Sequence, residues 1–429
     1  MTISPSTLCA LFAVAGILAP SAAQAMCGCM VAPRPPRKQN IATPEITNES
    51  SKVALVRIDD TTVITMANDV KTKASDFAMI VPVPSKIRRK QVSVVNGKLF
   101  ARLAQISAPK LIERYDPEPC ATRVRRRRPS AMADNMSTRA SGARPRTKAR
   151  DFGVKVEAVY EVGEYQIAIL AANEGDGLMQ WLNRFHYDVP AKAVPVLQSY
   201  IKQGNRFFVA RVNLGKLSKK KRRGFTQLRP LQVHFDTPKF GLPIRLGMVN
   251  AKGPQELTVY AVSDRGRVQT SNYRTQRIPE TRRELPLYIK SDFSKFYGAV
   301  FENATEKQGM QTIFTEAVVP QLRRREAKRL GVNKALKGRA AKNLVMTRLH
   351  FRYDNAHFPE DLALQATGDR RAFRPSYVVS HAAKNTSCSA GRRYLKKLEA
   401  RKRRRAKQLA ALTGWPIRQI QRAMSIGVR

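Results

Sequence analysis

The chain of 429 residues has few acidic residues and few of the side chains on which most active sites depend. It contains 32 aspartates and glutamates against 78 lysines and arginines, which gives a formal net charge of +46, and it has only five histidines and five cysteines. No serine-nucleophile elbow (G-x-S-x-G), no H-E-x-x-H metalloprotease motif and no phosphate loop occurs in it. The sequence therefore favours a non-enzymatic protein, and we expect no catalytic residue, no metal and no cofactor.

Two small groups of residues nevertheless have the chemistry of a site. His350 and Arg352 alternate on one face of a predicted strand, with Asp354 next, so this trio could bind an anion or a metal. A satisfied surface cluster is the favoured alternative. Glu174 and Asp176 lie in a glycine-rich turn and could act as an acid–base pair or ligate calcium, but a polar loop entering a helix is favoured.

Long hydrophobic runs are also missing, apart from one near the N terminus. Residues 8–18 are apolar, but a membrane-spanning helix needs about 20 such residues. Small residues follow, and Ala23-Gln24-Ala25 matches the A-x-A pattern of signal peptidase sites. We therefore predict a signal peptide over residues 1–25, cleaved before Met26, and an exported, soluble or peripheral protein of the periplasm or cell exterior. A buried N-terminal helix is the less favoured alternative.

The cysteines suit an oxidising compartment. Cys9 would leave with the leader, and Cys27, Cys29, Cys120 and Cys388 would remain, an even number that suggests two disulfides. A bridge between Cys27 and Cys29 would close across a single residue, where disulfide geometry is hard to reach. We therefore expect these two cysteines to bridge to Cys120 and Cys388, in either of two pairings. Free thiols or a metal site are the alternative.

The positive charge is concentrated in a few segments. Residues 121–150 contain ten basic residues and one acidic residue without apolar periodicity, which predicts a disordered insertion. Residues 391–429 contain thirteen basic residues and one acidic residue. Residues 216–224 are predicted to form a basic loop, and residues 321–342 a basic helical segment. The candidate polyanion-binding residues are Arg125, Arg126, Arg127, Arg128, Lys402, Arg403, Arg404 and Arg405.

The basic tail has the pattern of two short amphipathic helices around a Gly-Trp-Pro turn. Leu395, Leu398, Leu409 and Leu412 form a line interrupted by basic residues. Such helices suit an anionic membrane surface. A helical hairpin that packs on the body and leaves its basic face in solvent is equally compatible with the pattern. The predicted leader argues against a role with cytoplasmic nucleic acid.

Alternating apolar residues predict antiparallel hairpins. "KVALVRID" and "TTVITMA" flank the turn pair Asp59-Asp60, and "VKVEAVYEV" and "EYQIAILAA" flank Gly163. Further strands are predicted in "DFAMIVPVP", "RFFVARVNL", "LQVHFD", "ELTVYAVS" and "LVMTRLHFRYD". Helical spacing occurs in "VNGKLFARLAQIS", "GLMQWLNRF" and "PAKAVPVLQSYIKQG". The predicted fold class is α+β, with mainly antiparallel β hairpins and short packed helices.

These elements suggest five regions along the chain. They are a signal peptide (1–25), a first β-hairpin and helix block (26–120), the disordered basic insertion (121–150), a main α+β block (151–380) and the basic helical tail (381–429). The two blocks share the order strand, strand, helix, so an internal duplication is a less favoured possibility.

Several segments resemble one bacterial family. They are "FAMIVPVP" from Phe77, "GLMQWLNRFHYDVPAKAVPVLQSYIKQGNRFFVARV" from Gly177, "GLPIRLGMVNAKGPQELTVYAV" from Gly241, "NYRT" from Asn272, "TIFTEAV" from Thr312 and "TRLHFRYD" from Thr347. Together with the early Cys-Gly-Cys, they resemble the family catalogued as domain of unknown function 2330. The resemblance implies an exported bacterial protein and assigns no activity or catalytic residue. The arginine-rich segments depart from the family pattern.

The sequence leaves two hypotheses on function. In the first, a non-enzymatic envelope protein binds polyanions such as anionic lipid headgroups through its basic segments, with no specific protein partner. In the second, an exported enzyme or ligand-binding domain acts through a cleft between the two hairpin–helix blocks, lined by Trp181, Tyr187, Arg245 and His350. The arginine content could also be compositional drift without a function.

Overall fold

The computed structural model describes residues 23–24, 28–33, 46–72, 76–120, 154–172, 175–213, 221–222, 225–251, 253–281, 283–338 and 343–425. Most of the predicted leader lies outside these residues, as do Cys27 and the whole predicted basic insertion. The candidate residues Arg125, Arg126, Arg127 and Arg128 therefore lie outside the described residues.

The larger of two main sheets has eleven strands within the described residues. Its strands are β1 (Ala23–Gln24), β3 (Ile46–Ile58), β4 (Thr61–Thr72), β6 (Val92–Val94), β12 (Lys221–Arg222), β13 (Phe225–Gln227), β14 (Leu231–Asp236), β16 (Gln255–Ser263), β18 (Arg274–Arg277), β20 (Thr312–Val319) and β21 (Val345–Tyr353). The main path runs β12-β13-β4-β3-β16-β21-β20-β18, while β14 also pairs with β4 and β6, and β1 pairs with β16. Most neighbours are antiparallel, but β1 and β3 run parallel to β16, and β18 runs parallel to β20.

The strands of the second sheet are β2 (Cys29–Pro33), β5 (Asp76–Val83), β8 (Val154–Val162), β9 (Tyr165–Ala172), β10 (Tyr187–Asp188) and β11 (Arg206–Asn213). They have the order β10-β2-β5-β11-β9-β8, and the sheet is antiparallel throughout. Two three-stranded sheets complete the β structure. They comprise β15 (Gly241–Leu242), β22 (Leu362–Ala366) and β17 (Val268–Thr270), and β19 (Glu284–Leu285), β23 (Ser376–His381) and β7 (Lys110–Tyr115).

Eight α-helices accompany these sheets in the described part of the chain. They are α1 (Lys98–Ser107), α2 (Gly175–Arg184), α3 (Ala193–Lys202), α4 (Phe293–Lys307), α5 (Arg324–Arg329), α6 (Val332–Leu336), α7 (Ser389–Thr413) and α8 (Ile417–Ala423). None of these helices combines the length and the apolar character needed to cross a membrane. The fold class is α+β with mostly antiparallel sheets, as the sequence predicts.

Both predicted hairpins are present. β3 and β4 pair from Ile58 and Thr61 outwards, and Asp59 adopts a left-handed backbone (φ 47°) in the two-residue turn between them. β8 and β9 pair around Gly163, whose φ is 62°. Two-residue hairpin turns favour positive φ, which glycine and aspartate adopt more easily than most residues do.

The sheets do not follow the predicted boundary between the two blocks. β3 and β4 belong to the larger sheet, whereas β2 and β5, from the same predicted block, pair in the second sheet with β10 and β11. The predicted basic loop at 216–224 also contributes the short strand β12. Neither predicted block is therefore a self-contained sheet, because its strands pair across the boundary.

The two main sheets pack face to face, and helices cover their outer faces. Along β5, Phe77 and Met79 enter the core between the sheets, whereas Ala78 and Ile80 face α2 and α3. Along β3, Val53 likewise faces the second sheet, and alternate residues face α1, α5 and α6. Strands covered on both faces bury most of their side chains, which explains their nearly continuous apolar runs.

The cysteine pairing differs from both predicted alternatives. Cys120 and Cys388 form a disulfide (S–S 2.06 Å, Cα–Cα 5.9 Å), while Cys29 is a free, fully buried thiol. Both predicted pairings are therefore wrong. Cys29 lies in the apolar core between the second sheet and α2 and α3, and burial raises the pKa of its thiol to about 12. Cys120 follows β7 and Cys388 precedes α7, and these two segments are neighbours.

Candidate functional site

The basic tail packs on the body of the protein as a helical hairpin. Ala406 and Leu409 of α7 and Ile420 of α8 are buried in a core that includes α4 and β23, and Leu398 of α7 is buried as well. Gly414 ends α7 with φ 71°, as expected of a helix-terminating glycine. The sequence left two alternatives for the tail, helices at a membrane surface or a hairpin packed on the body, and the structure contains the packed hairpin. The apolar face of α7 is therefore not available for insertion into a membrane.

Polar contacts fix the inner side of α7 to the neighbouring strands. The guanidinium of Arg401 donates to Asp116 Oδ1 (2.9 Å), and the Tyr394 hydroxyl donates to Asp116 Oδ2 (2.6 Å). Burial alone would raise the pKa of Asp116, but the hydrogen bonds from Arg401 and Tyr394 lower it. Arg405 donates to Glu284 and to the Ser380 hydroxyl. The inner cations of α7 are therefore neutralised by carboxylates of the body.

The outer side of α7 carries a continuous basic surface, which we call the α7 basic face. At 3.6 residues per turn its side chains fall within an arc of about 140° and extend about 22 Å along the axis. The single carboxylate of α7, Glu399, borders this arc and accepts a hydrogen bond from Lys402 (2.7 Å). The face consists of seven exposed residues, Arg392, Arg393, Lys396, Lys397, Arg403, Arg404 and Lys407.

The structure divides the candidate polyanion-binding residues of the tail. Arg403 and Arg404 belong to the α7 basic face, and Lys402 is bonded to Glu399. Arg405 is only 6% exposed and binds Glu284, so its selection as a polyanion-binding residue was wrong. The physical reason is the rotation of 100° between successive helical residues, which turns Arg405 towards the body.

A second candidate is the polar face of β21. His350 and Arg352 alternate along this strand, as predicted, and Arg348 precedes them on the same face. Phe301 of α4 stacks on the His350 ring (3.8 Å between centroids). Asp354 does not join them, because it binds His357 instead (2.7 Å). The predicted His350, Arg352 and Asp354 trio is therefore not assembled.

His350 is held between two carboxylates that the sequence did not indicate. Its Nδ1 lies 3.0 Å from Glu316 and its Nε2 lies 2.9 Å from Glu256. Glu316 also pairs with Arg348 (2.6 Å), and the register of β20 shifts at Glu316, a bulge that places this carboxylate in the cluster. With both ring nitrogens bonded to carboxylates, His350 is the doubly protonated imidazolium and has no nitrogen available for a substrate.

The pKa shifts in this buried cluster favour the charged forms of His350 and Glu316. Burial alone would lower the pKa of His350, but the Glu316 and Glu256 carboxylates outweigh burial and raise it. Burial alone would raise the pKa of Glu316, but His350 and Arg348 lower it. This is the arrangement of a buried ion network that orders the core, not of an acid–base pair. Within the described residues, no group of three or more His, Cys, Asp or Glu side chains is placed to hold a metal ion.

A third candidate is a cleft of about 590 Å³ between the edge of the two main sheets and α3. Asp361 forms one wall and accepts hydrogen bonds from the Tyr200 hydroxyl (2.7 Å) and from the backbone N–H groups of Ile244 (2.9 Å) and Arg245 (3.2 Å). The Arg245 guanidinium lies 4.8 Å above the Tyr200 ring. Burial and the Asp361 charge raise the pKa of Tyr200, so its hydroxyl stays protonated and donates.

The structure does not bring the four predicted cleft residues together. Arg245 lies behind the Asp361 wall of the cleft, but Trp181 and Tyr187 are buried in the core under α2 and α3. His350 lies on the larger sheet, beneath α4. The predicted set of lining residues was wrong because helical and strand periodicity do not show which elements meet in space. Asp361 was missed, since a single aspartate in a loop carries no distinguishing pattern.

Comparison with protein-family models identifies the family of this chain. Residues 21–365 match the model of the family described as "uncharacterized protein conserved in bacteria", domain of unknown function 2330. The chain belongs to this family. The match with the domain of unknown function 2330 includes the cleft and the His350 cluster, but it ends before β23 and α7. No curated protein and no solved structure matches the chain.

Proposed function

We propose that this protein binds anionic lipid headgroups at a bacterial envelope surface through the α7 basic face. The observation that carries the proposal is the segregation of charge on α7. Its inner cations are paired with Asp116 and Glu284, while seven cations lie exposed on one side with a single carboxylate at their border. The ion pairs that hold α7 on the body involve only its inner cations, so the seven exposed cations are not needed to hold the helix in place.

The packing of α7 supports a peripheral mode of binding. Because its apolar side is buried against α4 and β23, contact with a membrane would be electrostatic and would not insert the helix. Each lysine or arginine near an anionic leaflet contributes about 1 kcal/mol, so seven are enough for stable adsorption at moderate ionic strength. Such binding weakens as salt rises, because mobile ions screen the attraction. The net charge of +46 would assist encounter with any polyanion.

The proposal is tested by co-sedimentation with vesicles of phosphatidylglycerol and phosphatidylcholine. The triple substitution Arg403→Gln, Arg404→Gln and Lys407→Gln removes three outward charges, and should weaken binding by about 3 kcal/mol, roughly 150-fold. The matched control replaces Lys90, Lys98 and Lys202, exposed residues of other elements, with glutamine. Equal binding by both variants would refute the α7 basic face as the site. Binding to duplex DNA but not to these vesicles would refute the lipid assignment.

Export is part of the proposal and is tested separately. When cells that express the native protein are fractionated, we expect it with the outer membrane at low salt and in the soluble envelope fraction after a high-salt wash. Recovery in the cytoplasm would contradict the proposal, whatever the vesicles show.

A ligand-binding cleft is the second candidate function. It is favoured by one observation: two segments that carry the family resemblance, "GLPIRLGM" and "NYRT", meet at Asp361. Ile244 and Arg245 donate to its carboxylate, and the Asn272 amide donates to its carbonyl oxygen (2.8 Å). The cleft would suit a small polar ligand, since Asn205, Gln203 and Lys239 also line it.

Native mass spectrometry of the protein purified from its own cells tests this alternative. A bound small molecule should be present in the unmodified protein and in the α7 triple variant, and should be lost when Asn205→Phe fills the cleft. An adduct that survives Asn205→Phe, or the absence of any adduct, would argue against a ligand site in this cleft.

A further inference from the structure

A second cluster of cations surrounds a cavity on the opposite side of the larger sheet from the second sheet. The cavity, which we call the α5–α6 pocket, has a volume of about 560 Å³ and lies between α1, β6, β14, α5 and α6. Arg325, Lys328 and Arg329 reach it from α5 and Lys334 from α6, and no aspartate or glutamate is among its described lining residues. Arg325, Lys328 and Arg329 share one side of α5, because they are spaced three and four residues apart.

The connection between α5 and α6 explains why their cations meet. Gly331 lies between the two helices with φ 77°, a conformation that other residues adopt with strain. A Cβ atom at Gly331 would lie 2.8 Å from Gln232 Oε1. The Gln232 amide in turn donates to the Arg329 carbonyl (3.3 Å) and to the Thr65 hydroxyl (2.9 Å). The end of α5 is therefore fixed against the sheet, and α6 begins at once beside it.

The charge of this pocket is not compensated within the described residues. Lys334 is half-buried, and its ammonium donates to the Ser93 hydroxyl (2.8 Å) rather than to a carboxylate. Burial lowers the pKa of Lys334, and burial together with the Lys334 charge lowers the pKa of His234. Glu326, the one carboxylate of α5, lies on the other side of the helix, where it accepts from Arg102 (2.8 Å). Elsewhere in the described residues, buried cations such as Arg348 and Arg405 have carboxylate partners.

We propose that the α5–α6 pocket binds a phosphate group of an organic phosphate. Two guanidinium groups and two ammonium groups converge on one cavity, and guanidinium groups form paired hydrogen bonds with phosphate oxygens. The cavity is larger than a phosphate ion and has an apolar side formed by Val95 and Leu99, which suits the carbon skeleton of the ligand. The half-buried Lys334 is the central residue, because a bound phosphate would supply the counter-charge that the protein does not.

This pocket is distinct from the α7 basic face. It lies on α5 and α6, whereas the face lies on α7, and these helices bury their apolar sides in two different hydrophobic clusters. Unlike the face, it predicts a saturable site with one ligand per chain. The two sites can therefore be tested independently, and the phosphate could belong either to a soluble ester or to a lipid headgroup.

Isothermal titration calorimetry with inorganic pyrophosphate tests the soluble source, using full-length protein with the α7 triple substitution as background. We expect binding of one pyrophosphate per chain, weakened at least about tenfold by Lys334→Met and by the pair Arg325→Gln and Arg329→Gln. The matched control is Lys337→Gln, a neighbouring exposed lysine that pairs with Asp236 (3.1 Å) outside the pocket, and it should change affinity by less than about twofold.

Vesicles of phosphatidic acid and phosphatidylcholine test the lipid source in the same background. If pyrophosphate does not bind, but the vesicles bind and Lys334→Met abolishes that binding, the phosphate belongs to a lipid. Absence of binding to both probes would overturn the proposal, and so would binding that Lys334→Met and the Arg325/Arg329 pair leave unchanged. Near-ultraviolet circular dichroism of each variant verifies that it is folded. These outcomes do not depend on whether the α7 basic face binds membranes.

Discussion

Arg404 and Arg405 are consecutive residues of α7, yet Arg404 is exposed to solvent whereas Arg405 is buried and bonded to Glu284. One peptide bond therefore separates a residue available to an external partner from a residue that holds the tail on the body. This relationship makes the two roles of the basic tail separable by mutation.

Arg405→Gln should destabilise the protein without reducing its affinity for anionic vesicles. Removing Arg405 takes away the nearer of the two arginines that pair with Glu284, since Arg401 lies 4.0 Å from this carboxylate, and costs about 3 kcal/mol. Arg404→Gln is the matched control and should change the free energy of unfolding by less than about 0.5 kcal/mol while weakening vesicle binding. Urea unfolding and vesicle co-sedimentation measure the two effects. Equal effects of both substitutions in both assays would contradict the division of α7 into two sides.

Glu316→Gln should be among the most destabilising single substitutions in the protein. Its carboxylate is buried, and it binds Arg348 (2.6 Å), His350 (3.0 Å) and the Tyr297 hydroxyl (2.9 Å). Losing this charge leaves two buried cations without their shared partner, at a cost of about 3–5 kcal/mol in the free energy of unfolding. Glu302→Gln, whose carboxylate is exposed and 3.6 Å from Arg352, should have little effect. A small effect of Glu316→Gln in urea unfolding would show that the network is not stabilising.

The contribution of His350 to stability should decrease as pH rises. Its carboxylate neighbours raise the pKa of His350 in the folded state above the ordinary value of 6.5, despite burial. A raised folded pKa stabilises the protein fully below pH 6.5, and this stabilisation is lost as pH rises through the folded value. The difference in the free energy of unfolding between wild type and His350→Gln should therefore shrink above pH 6.5. In a Glu316→Gln background this pH dependence should be weaker, and a difference that grows with pH would contradict the assignment.

Reduction of the Cys120–Cys388 disulfide should destabilise the protein by about 2–5 kcal/mol, because the bridge joins residues that are far apart in the chain. Peptide mass spectrometry under non-reducing conditions should recover these two cysteines in one cross-linked peptide pair. Cys29 should react with an alkylating reagent only after unfolding, because its thiol is fully buried. The control Cys29→Ala should keep the bridge, and a peptide that links Cys29 to Cys120 or Cys388 would contradict this pairing.

The native protein purified from its own cells should begin at Met26. The apolar stretch of residues 8–18 and the sequence Ala23-Gln24-Ala25 predict cleavage at that point. N-terminal sequencing measures this directly, and the same protein expressed with an Ala23→Asp and Ala25→Asp leader should retain the leader. A native chain that begins at Met1 would remove the argument for an envelope location.

Much of the fold could be predicted from local patterns. The β3–β4 and β8–β9 hairpins, the strands around Phe77 and Phe208 and the helix with Leu99 and Leu103 follow from periodicity and turn residues, which depend on neighbours in the chain. The carboxylates of the His350 cluster could not be assigned in this way. One available signal was Glu316, the single charged residue in the segment "TIFTEAVV", since buried strands seldom contain an unpaired acid.

The α+β class, the antiparallel hairpins and the concentration of positive charge in the tail are all legible in the amino-acid sequence, because each depends on residue type and short-range spacing. The pairing of Cys120 with Cys388, the position of His350 between Glu256 and Glu316, and the choice of α7 arginines that face solvent emerge only in the folded chain. These relationships join residues distant in sequence. They depend on which strand edges pair and which helix side packs, and local spacing is compatible with several such arrangements.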